Sequence, residues 1–222
     1  MAEVSSLLLA LVDSRAPAGA HSHSAGMEPA VTAGWVRNVD DVEAFCRGRL
    51  RTAGAVAAGV ATRAHGLALA DADAPAWTAL GAEVDARTPS EATRAASHAL
   101  GRGLRRLTRS MLPDLPDRRW WPDGPPHHPV ILGAAVAVAG GPASFAARSA
   151  ALAACAGPAS AGVRLLGLDP YAVQAVLARL APEVDLIADR ASTSPEIPAG
   201  SAPALDLLAD FHVLSEVRLF AS

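Results

Sequence analysis

The densest polar stretch of the chain runs Asp13-Ser14-Arg15-Ala16-Pro17-Ala18-Gly19-Ala20-His21-Ser22-His23-Ser24-Ala25-Gly26-Met27-Glu28. Its His-Ser-His step sets the imidazoles of His21 and His23 on one side of an extended segment, where they could ligate a metal. Two ligands make only an open, weak site, so a third would have to come from elsewhere in the fold. The same residues suit a structured turn, with Pro17 and Gly19 setting the backbone and the Ser and His side chains satisfying helix ends. The turn is the simpler of the two readings. Pro29 is tolerated in a helix only within its first turn, which places the next helix start near Gly26 or Met27.

His127-His128-Pro129 is a second cluster. Adjacent histidines point apart on most backbones, so the pair is a poor chelate. Pro129 suits the first turn of a helix with one histidine near its N-cap. The arginines between Arg102 and Arg109 could meet phosphate, but a solvated helix face accounts for them, in keeping with a formal net charge of −3. Cys46 falls on an apolar helical stripe and Cys155 in an alanine run, positions of inert core thiols.

What is missing narrows the chemistry. All 19 basic residues are arginine, which removes lysine Schiff-base and P-loop enzymes. The segment Gly157-Pro158-Ala159-Ser160-Ala161-Gly162 has the wrong spacing for a nucleophile elbow. Neither His-Glu-x-x-His nor a Gly-x-Gly-x-x-Gly after a strand occurs. Two cysteines make neither a disulfide framework nor a four-ligand zinc site. A nucleic-acid partner is not expected without a basic surplus.

The elements that must position these groups read as helices. The chain has 222 residues, 51% of them hydrophobic, 4% aromatic and 52 of them alanine, the strongest helix former. Asp40-Asp41-Val42-Glu43 resembles a capping box opening a helix that stops near His65-Gly66. Thr88-Pro89-Ser90-Glu91 reads as an N-cap Thr followed by Pro, ahead of a helix to Met111, and Asp169-Pro170 repeats the device ahead of one to Ile187. Further helices are expected at 4–12, 27–35, 76–86, 130–139, 143–156 and 205–217, and alternating strand patterns are nearly absent. The expectation is an all-α, single-domain bundle of roughly nine or ten helices over 1–222, with a Ser/Pro/Ala-rich linker at 191–203 and a C-terminal helix and tail at 204–222. The apolar runs around Val130–Ala139 and Ser149–Cys155 fall short of the ~18 residues of a membrane span. Glu3 and the lack of an N-terminal basic residue argue against a signal peptide, so a cytoplasmic location is expected.

Several segments together resemble the UreF family of urease accessory proteins. Asp13-Ser14-Arg15-x-Pro17-x-Gly19 and His23-Ser24-x-Gly26-x-Glu28 are similar to its N-terminal signature, roughly D-S-x-x-P-x-G-G-F-x-H-S-x-G-x-E. Arg94-x-x-Ser97 with Gly101 and Leu104, His127-x-Pro129-Val130 with Gly133, Val163-Arg164-Leu165 with Gln174, and Arg218-Leu219-Phe220-x-Ser222 follow in order. Ala20 and His21 depart from the family's second glycine and phenylalanine, and Val213 from its acidic residue after the tail histidine, with Glu216 nearby.

The resemblance implies a non-catalytic all-α protein, usually dimeric, set between the accessory protein UreD (also called UreH) and the GTPase UreG. The assembly docks on urease apoprotein and couples GTP hydrolysis to nickel insertion. It implies no stably bound cofactor: nickel is handled by the complex, and GTP is bound by UreG. Asp13, Ser14, Arg15, Pro17, Gly19, His23, Ser24, Gly26, Glu28, His127, Pro129, Arg164, Arg218, Leu219, Phe220 and Ser222 would then bind partners or shape the fold. On this reading Leu219 and Phe220 fill a partner's pocket, Arg218 fixes their orientation, and the tail is poorly ordered until bound. His23 would line a nickel path or brace a dimer. The alternative is a small helical nickel-binding metallochaperone that uses His21, His23 and His127 or His128.

Overall fold

An alanine-rich chain buries little area per residue, so its helices must come close to hold together. The computed structural model describes residues 5–13, 15–18, 22–113, 126–194, 196–213 and 219–220. Among them the chain is all-α, without a strand. The helices are α1 (Ser6–Leu11), α2 (Met27–Thr32), α3 (Val39–Arg49), α4 (Ala55–Leu69), α5 (Ala74–Ala86), α6 (Glu91–Met111), α7 (His128–Val138), α8 (Ala143–Leu166), α9 (Pro170–Thr193) and α10 (Pro203–Val213). A π-helical turn, Leu50–Gly54, joins α3 to α4 in one continuous rod, which makes nine rods among the described residues.

Two caps differ from the expected ones. The N-cap of α3 is Asn38, whose Oδ1 accepts the Asp41 amide at 2.9 Å, in place of Asp40. The N-cap of α6 is Ser90, in place of Thr88: its hydroxyl accepts the Thr93 amide at 3.1 Å and donates to Asp210 of α10 at 2.7 Å. Asp169 caps α9 with Pro170 behind it, as expected. The rod also continues past His65-Gly66 to Leu69, with the buried His65 Nε2 2.8 Å from the Gly141 carbonyl.

The expected end of α8 near Ala156 does not occur. The helix runs through Pro158, whose missing N–H leaves the carbonyl of Ala154 without its helical donor. Arg49 of α3 supplies one, its Nε reaching that carbonyl at 3.4 Å. At 24 residues α8 is long and apolar enough to cross a membrane, unlike the shorter run expected. It lies against α4 and α9 and buries Ala147, Ala151, Cys155 and Ala159 at helical spacing, the position of a core helix. α9 extends to Thr193, so the connection to α10 spans only 194–202.

The core has two apolar clusters. One gathers α1, α4, α5 and α7 with Leu104 of α6; the other gathers α2, α3, α8 and α9 with Phe220. Small residues set the spacing. A Cβ on Gly133 of α7 would stand 2.1 Å from the Ala61 carbonyl oxygen of α4. That neighbour is backbone and cannot rotate away. Cys46 and Cys155 exchange weak hydrogen bonds, each thiol donating to the other's carbonyl, at 3.6 and 3.4 Å. Burial pushes their pKa values up to about 12 and about 11.

Two outcomes follow. Gly133→Ala should cost about 1–3 kcal/mol in urea unfolding despite alanine's helix propensity; unchanged or raised stability would contradict the close approach. Neither thiol should react with Ellman's reagent at pH 8 until the chain is unfolded, and prompt native labelling would place a cysteine at the surface.

Candidate functional site

Residues from both ends of the chain meet at α2. Ala25 and Gly26 have φ of 51° and 86°, and the Met27 amide donates to the Ser24 carbonyl at 3.1 Å. Glycine adopts this left-handed region at least cost, and at position 26 it turns the chain into α2. Met27 then points into the core, fully buried, and Pro29 falls in the first turn. The segment is thus a structured turn holding Ser24 and Gly26 buried and His23 half-buried.

Glu28, second residue of α2, is 6% exposed. A buried carboxylate needs donors, and its two oxygens take one each. Oε1 accepts the Leu219 amide at 2.7 Å and Oε2 the Phe220 amide at 3.0 Å. His212 of α10 brings Nε2 to 3.2 Å from Oε2, without the alignment of a hydrogen bond. Phe220 is buried in the second core cluster, and the Arg164 guanidinium of α8 lies over its ring at 4.5 Å, a cation–π distance. Leu219, by contrast, is 70% exposed. Three residues singled out in sequence, Glu28, Arg164 and Phe220, therefore converge. The expected role of Phe220 changes: it fills its own chain's core instead of a partner's pocket, because the Glu28 carboxylate satisfies the tail's backbone at that point.

The second polar site surrounds His127, the N-cap of α7, which is 3% exposed. Its Nδ1 lies 3.1 Å from Ser97 Oγ and its Nε2 3.1 Å from Asp85 Oδ1. The His128 amide donates to the same Ser97 oxygen at 3.3 Å. The rings of His98 and His127 stack with centroids 3.9 Å apart and planes 34° apart. Gly101 of α6 permits this seat, since a Cβ there would meet the Pro126 carbonyl oxygen at 2.1 Å. Burial, reinforced by the neighbouring His98, lowers the His127 pKa, and burial alone brings His128 down to about 4. Pro129 occupies the first turn of α7, as its type requires.

The other sequence-singled residues lie apart from these sites. Asp13 and Arg15 pair at the surface, with Arg15 Nε and backbone N donating to Asp13 Oδ1 at 3.0 and 2.8 Å. The hydrogen bonds from Arg15 hold the Asp13 carboxyl at about 2. Pro17 is exposed in the turn that follows. Ser14, Gly19, His21, Arg218 and Ser222 lie outside the described residues. Among the described residues His23 and His128 belong to no group of three metal-capable side chains. Among the described residues the one group of three metal-capable side chains is Asp85, His98 and His127.

Sequence reasoning missed Asp85, His98, Asp210 and His212. Each acts through a partner far along the chain, as with the Ser90–Asp210 bond across 120 residues. α10 ties the two sites together: Asp210 accepts from Ser90 and from the Ala92 amide at 3.1 Å, and two residues later His212 meets Glu28. The arrangement can lock a tail, and at His127 it offers nitrogen and oxygen ligands.

Residues 36–181 match the family model described as UreF. A urease accessory protein UreF from Mycobacterium sp. (strain JLS) is 45% identical over 219 residues, covering 97% of this chain and 97% of its own length. Proteins of the same name from Mycolicibacterium vanbaalenii and Mycobacterium tuberculosis (strain ATCC 25618 / H37Rv) are 42% and 40% identical, each over 97% of this chain and 97% and 98% of their own. The match to the family model takes in Asp85, His98, His127 and Arg164, while Glu28 and Phe220 lie outside it.

Glu28→Ala should lower the unfolding free energy by about 2–4 kcal/mol, since it strands two amides, and Glu28→Gln, which keeps one acceptor, should fall between. A loss under about 0.5 kcal/mol in urea titration would mean that the carboxylate does not hold the tail.

Proposed function

The chain belongs to the UreF family of urease accessory proteins, and from that premise we propose that it is the non-catalytic scaffold of a UreD–UreF–UreG assembly. That assembly couples GTP hydrolysis by UreG to insertion of nickel into urease apoprotein, in the cytoplasm, with this chain as a homodimer. Nickel is the cargo and GTP the substrate of UreG. This chain's part is to hold the partners in register and to influence when UreG hydrolyses GTP.

The observation that supports this reading is the clamp at Glu28. It seats Phe220 inward and leaves Leu219 outward, beside an α10 that exposes Leu207 and Phe211 one turn apart. A large apolar residue left 60–70% exposed, as Leu207, Phe211 and Leu219 are, costs less when another protein covers it. We assign this face to the UreD-type partner. The contribution of Leu219 and Phe220 is then a pre-formed surface: their amides are already tied down, so less conformational entropy is lost on docking. The tail residue that a partner meets is Leu219.

The test is co-expression with UreD, UreG and the urease subunits. Changing Phe211 and Leu219 together to Asp should reduce co-purification of UreD at least tenfold and urease activation with it, since buried apolar anchors carry about 2 kcal/mol or more each. The melting temperature of the isolated variant should stay within a few degrees, because both side chains are exposed. Undiminished co-purification would remove α10 and the tail as the docking face.

A further inference from the structure

We propose that Asp85, His98 and His127 form a labile binding site for one divalent late first-row transition-metal ion, a site at the meeting of α5, α6 and the start of α7. The claim concerns the isolated chain and stands apart from the partner reading above.

Three observations carry it, the first being the ligand geometry. The three side chains each offer a ligand atom, and these atoms all lie within 4.8 Å of one another. Two imidazoles and a carboxylate are the donor set that suits nickel, zinc or copper and not calcium or magnesium. Donors on one such ion sit about 3–4 Å apart, given metal–ligand bonds of about 2.0–2.2 Å. His127 Nε2 and Asp85 Oδ1 are already 3.1 Å apart. Asp85, whose side chain is 54% exposed and near the C-terminal end of α5, has room to change rotamer as an ion binds.

His98 is the second sign. Its Nδ1 is shut from solvent with no hydrogen-bond partner among the described residues, although its ring stacks on His127. A buried ring nitrogen without a partner is a cost that a ligated ion or a proton-bearing neighbour would remove.

The outer shell is also present. Ser97 Oγ accepts the His128 amide and meets His127 Nδ1, and a hydroxyl can either donate to that nitrogen or accept from it. Without metal, a proton on His127 Nε2 would face Asp85 while Ser97 donates to Nδ1. On metal binding the ring changes tautomer: Nε2 loses its proton to solvent and ligates, and Nδ1 takes one up from solvent and donates to Ser97. The neutral imidazole therefore releases no net proton, and nothing is oxidised or reduced. A second-shell hydroxyl that follows the tautomer in this way is how histidine ligands are oriented.

Arg94 bounds the affinity. Its Nε stands 3.9 Å from Asp85 Oδ1, while its NH1 donates to the carbonyls of Thr88 and Pro89 at 2.7 and 2.8 Å. A fixed cation beside the carboxylate disfavours a second cation, and only three protein ligands are supplied. The site is therefore one that takes up and releases its ion, with water completing the coordination.

Titration of the full-length chain with nickel chloride and, separately, zinc chloride, by calorimetry and by competition with a metal-sensitive dye, tests this. The expected result is one ion per chain, with His98→Ala weakening binding at least tenfold, Ser97→Ala weakening it about tenfold and His23→Ala leaving it unchanged. Circular dichroism melting of each variant separates lost ligation from lost folding. His98→Ala should still fold, since its Nδ1 contributes no hydrogen bond and the variant loses only the ring contact with His127. X-ray absorption on the nickel-loaded chain should show imidazole nitrogen in the first shell. Absence of stoichiometric binding by the folded wild-type chain, binding indifferent to His98→Ala, or binding abolished by His23→Ala would each overturn the proposal.

Discussion

A carboxylate buried in a protein needs hydrogen-bond donors, and Glu28 draws its donors from 191 and 192 residues further along the chain. That constraint organises the molecule's closing geometry. The turn at Ala25–Gly26 exists to start α2 where Glu28 faces inward, and the tail must come back across α2 to supply two amides. Once there, Phe220 enters the second apolar cluster and the Arg164 guanidinium covers its ring. α2, α8 and Phe220 thereby become part of one packed unit.

The rest of the fold answers a different constraint, the small size of its side chains. Alanine contributes little apolar area, so stability depends on close backbone approach at a few places. Gly133 against Ala61 sets the crossing of α4 and α7, and Gly101 against Pro126 sets where His127 can sit. Gly103 gives the same access to the turn ending at Ala18, whose carbonyl oxygen would stand 2.3 Å from a Cβ there. Ala18 and Pro126 are thus laid directly on the backbone of α6.

Local chemistry was legible in the sequence, and long-range pairing was not. The all-α class, the Asp169–Pro170 helix start, the placement of Pro29 and the buried thiols all follow from residues within a turn of each other. The sequence points to Thr88 as the α6 cap, but Ser90 gains its advantage from Asp210; it points to an end of α8 near Ala156, but Arg49 rescues the carbonyl that Pro158 orphans. Glu28, Arg164 and Phe220 were marked by family resemblance, but nothing in their spacing says that they touch. Asp85 and His98 gave no local signal, since an exposed Asp near a helix end and a His inside a helix are ordinary residues until His127 is placed beside them.

The functional account turns on one claim, that the tail is held by its own chain and presents Leu219 outward before any partner arrives. Hydrogen exchange of the Leu219 and Phe220 amides in the isolated full-length chain measures this directly. Two hydrogen bonds to a buried carboxylate predict protection of about tenfold to a hundredfold over an unstructured peptide. Exchange of both amides at the unstructured rate would contradict it, and would return Phe220 to the role of an anchor that orders only in a partner's pocket.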